Sequence, residues 1–90
     1  MVRNTTNEEI VAVHPIAHSR MMLEGISSAG YDAQKQILEI KFSADGQVWQ
    51  FYDVPEYVWY EWRRVKEMQV YYHTKIFGKY RSKLVEVKKR

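Results

Sequence analysis

Side chains able to do chemistry are few in this chain and mostly lie far apart in the sequence. His14 and His18 stand four apart, a spacing that on a helix could hold a metal ion. Pro15 lies between them, the segment reads as irregular, and no carboxylate is close in sequence, so no metal site is expected. His73 reads as a helix-surface or partly buried polar residue rather than a general base. Ser27, Ser28, His73 and Asp53 hold the ingredients of a nucleophilic triad, but a triad is defined by geometry and the spacing supplies none. Glu8 and Glu9 are most simply an exposed pair. The glycines Gly25, Gly30, Gly46 and Gly78 are isolated, so no phosphate-cradling loop is formed. With no cysteine, a thiol nucleophile, a disulfide framework and a Cys-based zinc site are excluded. The chain is expected to be non-catalytic, with no cofactor.

Aromatic and basic side chains offer a different chemistry. Trp59 and Arg63 are i, i+4 neighbours, with Tyr60, Arg64 and Lys66 close by and Lys75, Lys79, Arg81 and Lys83 following. Cations neutralise phosphates and exposed rings stack on bases, so this set is the candidate nucleic-acid-binding surface, with RNA the first ligand to consider. The competing arrangement folds Trp59 over its own helix or against the N-terminal arm, with Arg63 as a local cation–π partner. A second class of function is protein binding or homodimerisation through Trp59 and Tyr60, because Trp, Tyr and Arg dominate interface hot spots. Charge supports the first class. Residues 1–60 carry four Lys/Arg against eight Asp/Glu, whereas residues 61–90 carry ten against three. A basic third on an acidic chain attracts a polyanion, although a solvated basic face has the same composition.

Ninety residues make one domain with a small core. At 46% hydrophobic and 28% charged residues the composition is globular. The first ten residues have no apolar stretch of the secretory kind, and no apolar run approaches the ~18 residues of a membrane span. A soluble, cytoplasmic protein without membrane contact is the expectation.

The elements follow from periodicity. Residues 1–25 read as an N-terminal arm, partly irregular, with one helical turn over Ser19 to Leu23. Ile26–Tyr31 is a candidate strand and Asp32 to Gln36 its turn. In Ile37–Ser43, Leu38, Ile40 and Phe42 alternate with Glu39 and Lys41, the mark of a half-buried strand. Asp45-Gly46 predicts a two-residue type I′ hairpin, and Gln47–Tyr52 is the return strand. That loop pairs Ala44 with Gln47, Phe42 with Trp49 and Ile40 with Phe51. One face then carries Leu38, Ile40, Phe42, Trp49 and Phe51; the other carries Glu39, Lys41, Ser43, Gln50 and Tyr52.

Asp53 is expected to cap a helix with Pro55 in its first turn and Glu56 as a capping-box partner. Val54, Tyr57, Val58, Trp62, Val65 and Met68 form its apolar stripe, which needs the Trp49–Phe51 face to bury itself. That places Trp49 and Phe51 in the core rather than on an RNA-stacking platform. A short helix around Val70–Phe77 ends at Gly78. Leu84–Val87 is a final strand or an ordered arm, and residues 88–90 are a basic tail. The fold class is therefore α+β: a three-stranded antiparallel β-meander packed against one long and one short C-terminal helix, the domain spanning residues 26–87.

Several of these pieces occur together in one family. Gly30-Tyr31-Asp32, the hairpin with Trp49-Gln50-Phe51, then Asp53-Val54-Pro55, then Tyr71-Tyr72-His73-Thr74-Lys75-Ile76-Phe77-Gly78-Lys79-Tyr80 resemble the KTSC domain over about residues 26–80. His73 stands where that family usually has Asn, Arg81-Ser82 replaces a frequent Pro-Tyr pair, and the arm before Gly25 is longer than usual. The resemblance implies a β-hairpin-plus-helix domain. Because the family is named for its place at the C-terminus of some lysyl-tRNA synthetases, it also points toward RNA.

Overall fold

The computed structural model describes residues 16–86. The expectations for the arm up to Pro15, for His14, for Val87 and for the basic tail lie outside the described residues. Among the described residues, five strands and two helices follow in order: β1 (Ser19–Leu23), β2 (Ile26–Asp32), β3 (Ile37–Phe42), β4 (Val48–Tyr52), α1 (Glu56–Arg64), α2 (Met68–Tyr71) and β5 (Ser82–Glu86). A π-helical turn, Tyr72–Ile76, continues α2. The strands form one antiparallel sheet in sequential order, and the helices fill the connection between β4 and β5.

The α+β class stands, but the sheet has two strands more than expected. Ser19–Leu23 is β1 and not a helical turn, because Gly25, at φ 88°, turns the chain back so that Ser19 and Arg20 pair with Ala29 and Ser28. At the other end Ser82–Glu86 takes the strand option left open for Leu84–Val87 and pairs with β4. The strand and turn expected over Ile26 to Gln36 are present: Asp32 Oδ1 accepts the amides of Gln34 and Lys35, and Gln36 closes the turn at φ 57°.

The β3–β4 hairpin departs from the expected register by two residues. Leu38 faces Phe51 and Ile40 faces Trp49. The loop has four residues, Ser43 to Gly46, closed by Phe42 N–H donating to Gln47 O (2.9 Å) and Gly46 N–H donating to Phe42 O (3.0 Å). Gly46 has positive φ but Asp45 does not, so the type I′ geometry is absent. Asp45 instead accepts the Gln47 amide on Oδ1. A two-residue slip leaves every side chain on its face, which is why the inside and outside assignment survives. Phe51 is buried and Trp49 packs half-buried against the core.

Helix α1 begins after Pro55, which occupies the N-cap with no side-chain cap bond. Asp53 is not the cap. It takes φ 60°, and its carboxylate faces Arg81. Glu56 in the first turn and Arg63 and Arg64 in the last suit the helix dipole. The single long helix of the sequence reading is broken: Val65 is extended, and the Trp62 indole N–H donates to Met68 O at 3.0 Å, fixing the chain between α1 and α2. Trp62, Leu38, Ile40, Ile76 and Val54 are the most deeply buried large side chains. No helix among the described residues is long and apolar enough to cross a membrane.

Candidate binding surfaces

The two sheet faces do different work. The face toward α1 and the π-turn is apolar. On the opposite face a chain of hydrogen bonds runs across the strands. His18 Nε2 lies 2.6 Å from Glu39 Oε1 and Nδ1 lies 2.7 Å from Ser28 Oγ. Gln50 Nε2 donates to Glu39 Oε2 (2.8 Å), and Tyr52 OH donates to Gln50 Oε1 (3.0 Å). Facing a carboxylate, Nε2 carries the imidazole proton, and Ser28 shares the remaining ring nitrogen. Arg81 closes the row, its guanidinium 5.3 Å from the Tyr52 ring centre and 3.4 Å from Asp53 Oδ2. Burial raises the Tyr52 pKa and Arg81 opposes that shift, so Tyr52 remains a neutral donor at physiological pH.

Pairing places further cations on this outer face. Arg20 pairs with Ser28, Ser28 with Lys41, and Lys83 with Gln50. Directly paired residues share a face, so Arg20, Lys41, Lys83 and Arg81 surround the polar row. Arg20, Arg81 and Lys83 are exposed and Lys41 is half-buried. Arg20 and Lys41 were missed as site residues, although the alternation of Glu39, Lys41, Gln50 and Tyr52 already assigned that face. Their juxtaposition with Arg20 depends on β1, which the sequence did not reveal.

The surface proposed from sequence is divided by the fold. Trp59 is buried, stacked on Tyr31 with ring centres 6.1 Å apart and planes 16° apart. The Arg63 guanidinium lies over the same ring, 5.0 Å from its centre. At 7% exposure Trp59 offers no open face to a base. The expected local cation–π contact with Arg63 is present, but the indole packs on Tyr31 of β2 rather than over its own helix or against the N-terminal arm. Tyr60 is half exposed and lines a shallow pocket of about 280 Å³ with Tyr57, Glu61 and Arg64. Tyr57, expected on the apolar stripe, is 67% exposed, because the buried face of α1 runs through Val58, Trp59 and Trp62. Lys66 is exposed between α1 and α2, while Lys75 and Lys79 are exposed around the π-turn. Arg81 and Lys83 belong to the outer sheet face.

On the apolar side, between the β3–β4 loop and the π-turn, lies a groove of about 550 Å³. Phe42, Trp49, Tyr72, Phe77 and Tyr80 line it. Their convergence could not be read from sequence, since it brings residues 42–49 against residues 72–80. Among the described residues no group of three or more His, Asp or Glu side chains is placed to hold a metal ion.

A five-stranded antiparallel sheet with its helices on one face, inserted before the last strand, defines a small α+β domain. Residues 24–80 match the KTSC domain, and the chain belongs to that family. Among solved structures it is similar to a KTSC domain protein from Yersinia pestis, with a TM-score of 0.74 and 24% identity over 79% of this chain and 99% of that one. That likeness shows the fold alone. No curated protein matches the chain.

Proposed function

We propose that the chain is a non-catalytic binding module that takes nucleic acid, RNA first, on the outer face of its sheet. The observation that carries this reading is the strand register, which groups Arg20, Lys41, Lys83 and Arg81 around Tyr52 and Gln50. Arg20, Lys41 and Lys83 stand on alternate strands, β1, β3 and β5, roughly 10 Å apart across the sheet, a spacing that long Lys and Arg side chains can match to phosphates along one strand. Gln50 and Tyr52 supply polar and ring contacts between them, as sheet-based readers of single-stranded nucleic acid do. Relative to the sequence reading, the ligand class is kept and the surface moves from the helices to the sheet.

The test is a titration of a labelled single-stranded RNA followed by fluorescence anisotropy at several salt concentrations. Four neutralised phosphates imply a slope of log K against log salt of about −3. Absence of binding at low salt would sink the reading. A second reading, self-association or protein binding, is favoured by the exposure of Tyr57 and Tyr60 on one side of α1. It requires association that depends on concentration and resists salt.

A further inference from the structure

The groove on the opposite side of the sheet has a charge pattern that excludes the ligand of the outer face. Of the twelve residues that line it, Asp45 alone is charged. The neighbouring Lys79 is not part of the lining. A phosphate would meet a carboxylate and the electron-rich faces of aromatic rings, with no lining cation to offset either. A cation meets the reverse. Ring faces carry negative quadrupole potential, and a positive group within about 6 Å of several rings gains most where water is partly excluded.

The geometry points to a second binding site here, for an organic cation of the quaternary or methylated ammonium class. Tyr72 forms the floor, buried, with its ring 6.3 Å from Phe42 at 64° and 6.0 Å from Phe77 at 43°. Rings inclined in this way give the groove walls as well as a base. Phe77 is 59% exposed, unusual for a phenylalanine with an apolar cluster beside it, and forms one open wall. Trp49 has its indole N–H bonded to Gln47 Oε1 at 3.0 Å, so its polar edge is satisfied and its ring is left to pack. The Asp45 carboxylate accepts the Gln47 amide on Oδ1, which holds the charge at the rim. A methylated ammonium fits this mixture because its methyl groups are apolar and its charge is spread. A bare ammonium loses more hydration on entering such a site, and a phosphate is repelled. The volume, about 550 Å³, falls within the range of small-molecule sites. This site does not depend on the nucleic-acid reading.

The experiment is titration of the full chain with choline, read by amide and indole chemical shifts, in parallel with 3,3-dimethylbutan-1-ol. The alcohol has the same shape with a carbon in place of the charged nitrogen. Choline is expected to bind at least about tenfold more tightly than the alcohol, with shifts centred on Phe42, Trp49 and Phe77. Asp45→Asn and Phe77→Ala, both at exposed positions, should each weaken choline binding severalfold while leaving the folded spectrum in place. Equal affinity for choline and the alcohol would overturn the proposal, since the groove would then be merely apolar. So would the lack of saturable shifts with choline, shifts centred on the outer sheet face, or unchanged choline affinity in Asp45→Asn.

Discussion

The carbonyl of Ala17 crosses directly over Gly30, in the space that a β-carbon on Gly30 would fill. The position needs glycine for close approach, since Gly30 has ordinary negative φ. This crossing delivers His18 to the outer sheet face, where Ser28 and Glu39 take both ring nitrogens. Gly30→Ala must push the 16–18 segment off β2. The expected cost is about 1–3 kcal/mol, as for other overpacked sites, with loss of the His18 hydrogen bonds. Urea unfolding gives the first, and histidine ring-proton shifts give the second. A variant of unchanged stability with unchanged His18 resonances would contradict the close approach.

Trp59 tests whether an aromatic residue serves the core or a ligand. It stacks on Tyr31, whose hydroxyl donates to the Val54 carbonyl, so ring packing and backbone are coupled at the start of α1. Trp59→Ala is expected to destabilise the domain by about 3–5 kcal/mol. Under conditions where the variant remains folded, RNA affinity should be close to that of the wild type. A large affinity loss in a fully stable variant would return Trp59 to the binding surface.

Burial of the tyrosines predicts a loss of stability at alkaline pH. Tyr31, Tyr72, Tyr80 and Tyr71 all have pKa values raised, chiefly by desolvation, with Glu61 adding to the effect at Tyr71, whose hydroxyl donates to Glu61 Oε1 at 2.6 Å. In the unfolded chain tyrosine ionises near pH 10. Below that pH both states hold these protons and stability does not depend on them. Above it the unfolded state gives up protons first, so stability falls as pH rises from about 10 toward the higher folded values. Thermal melts at pH 8, 9.5 and 11 should show a plateau and then a decline. A Tm that held constant through pH 11 would show the phenols to be solvated.

What was legible in the sequence was local. Alternation in residues 37–42 and 48–52 assigned the buried face of the hairpin, and a two-residue error in pairing left it intact because side chains repeat every two residues. Asp32 and Gly78 marked a turn and a helix end through their own chemistry. The misses share a tertiary cause. β1 has no strong alternation and exists because β2 offers an edge; α1 stops at Arg64 without Gly or Pro because the Trp62 indole takes the Met68 carbonyl. The site followed the same division. The identity of the cations was readable, but their grouping depended on β1 and β5, which put Arg20 in line with Lys41 across Ser28 and turned Arg81 and Lys83 away from Lys75 and Lys79.

That division yields a charge-reversal comparison. Lys41→Glu with Lys83→Glu alters the outer sheet face, and Lys75→Glu with Lys79→Glu makes the same change in net charge near the π-turn. General electrostatic attraction would treat the two pairs alike, because both lower the net charge by four and salt screens both. A defined surface on the sheet would not. The first pair is expected to reduce RNA affinity by at least about a hundredfold at low salt and to flatten the salt slope by about 1.4, from two lost phosphate contacts. The second pair should cost less than about tenfold. All four positions are lysines that are exposed or half-buried, so circular dichroism should show the fold retained in each variant. Equal losses in the two pairs would reduce the interaction to bulk charge, and a larger loss in the second would move the interface back to the helical half.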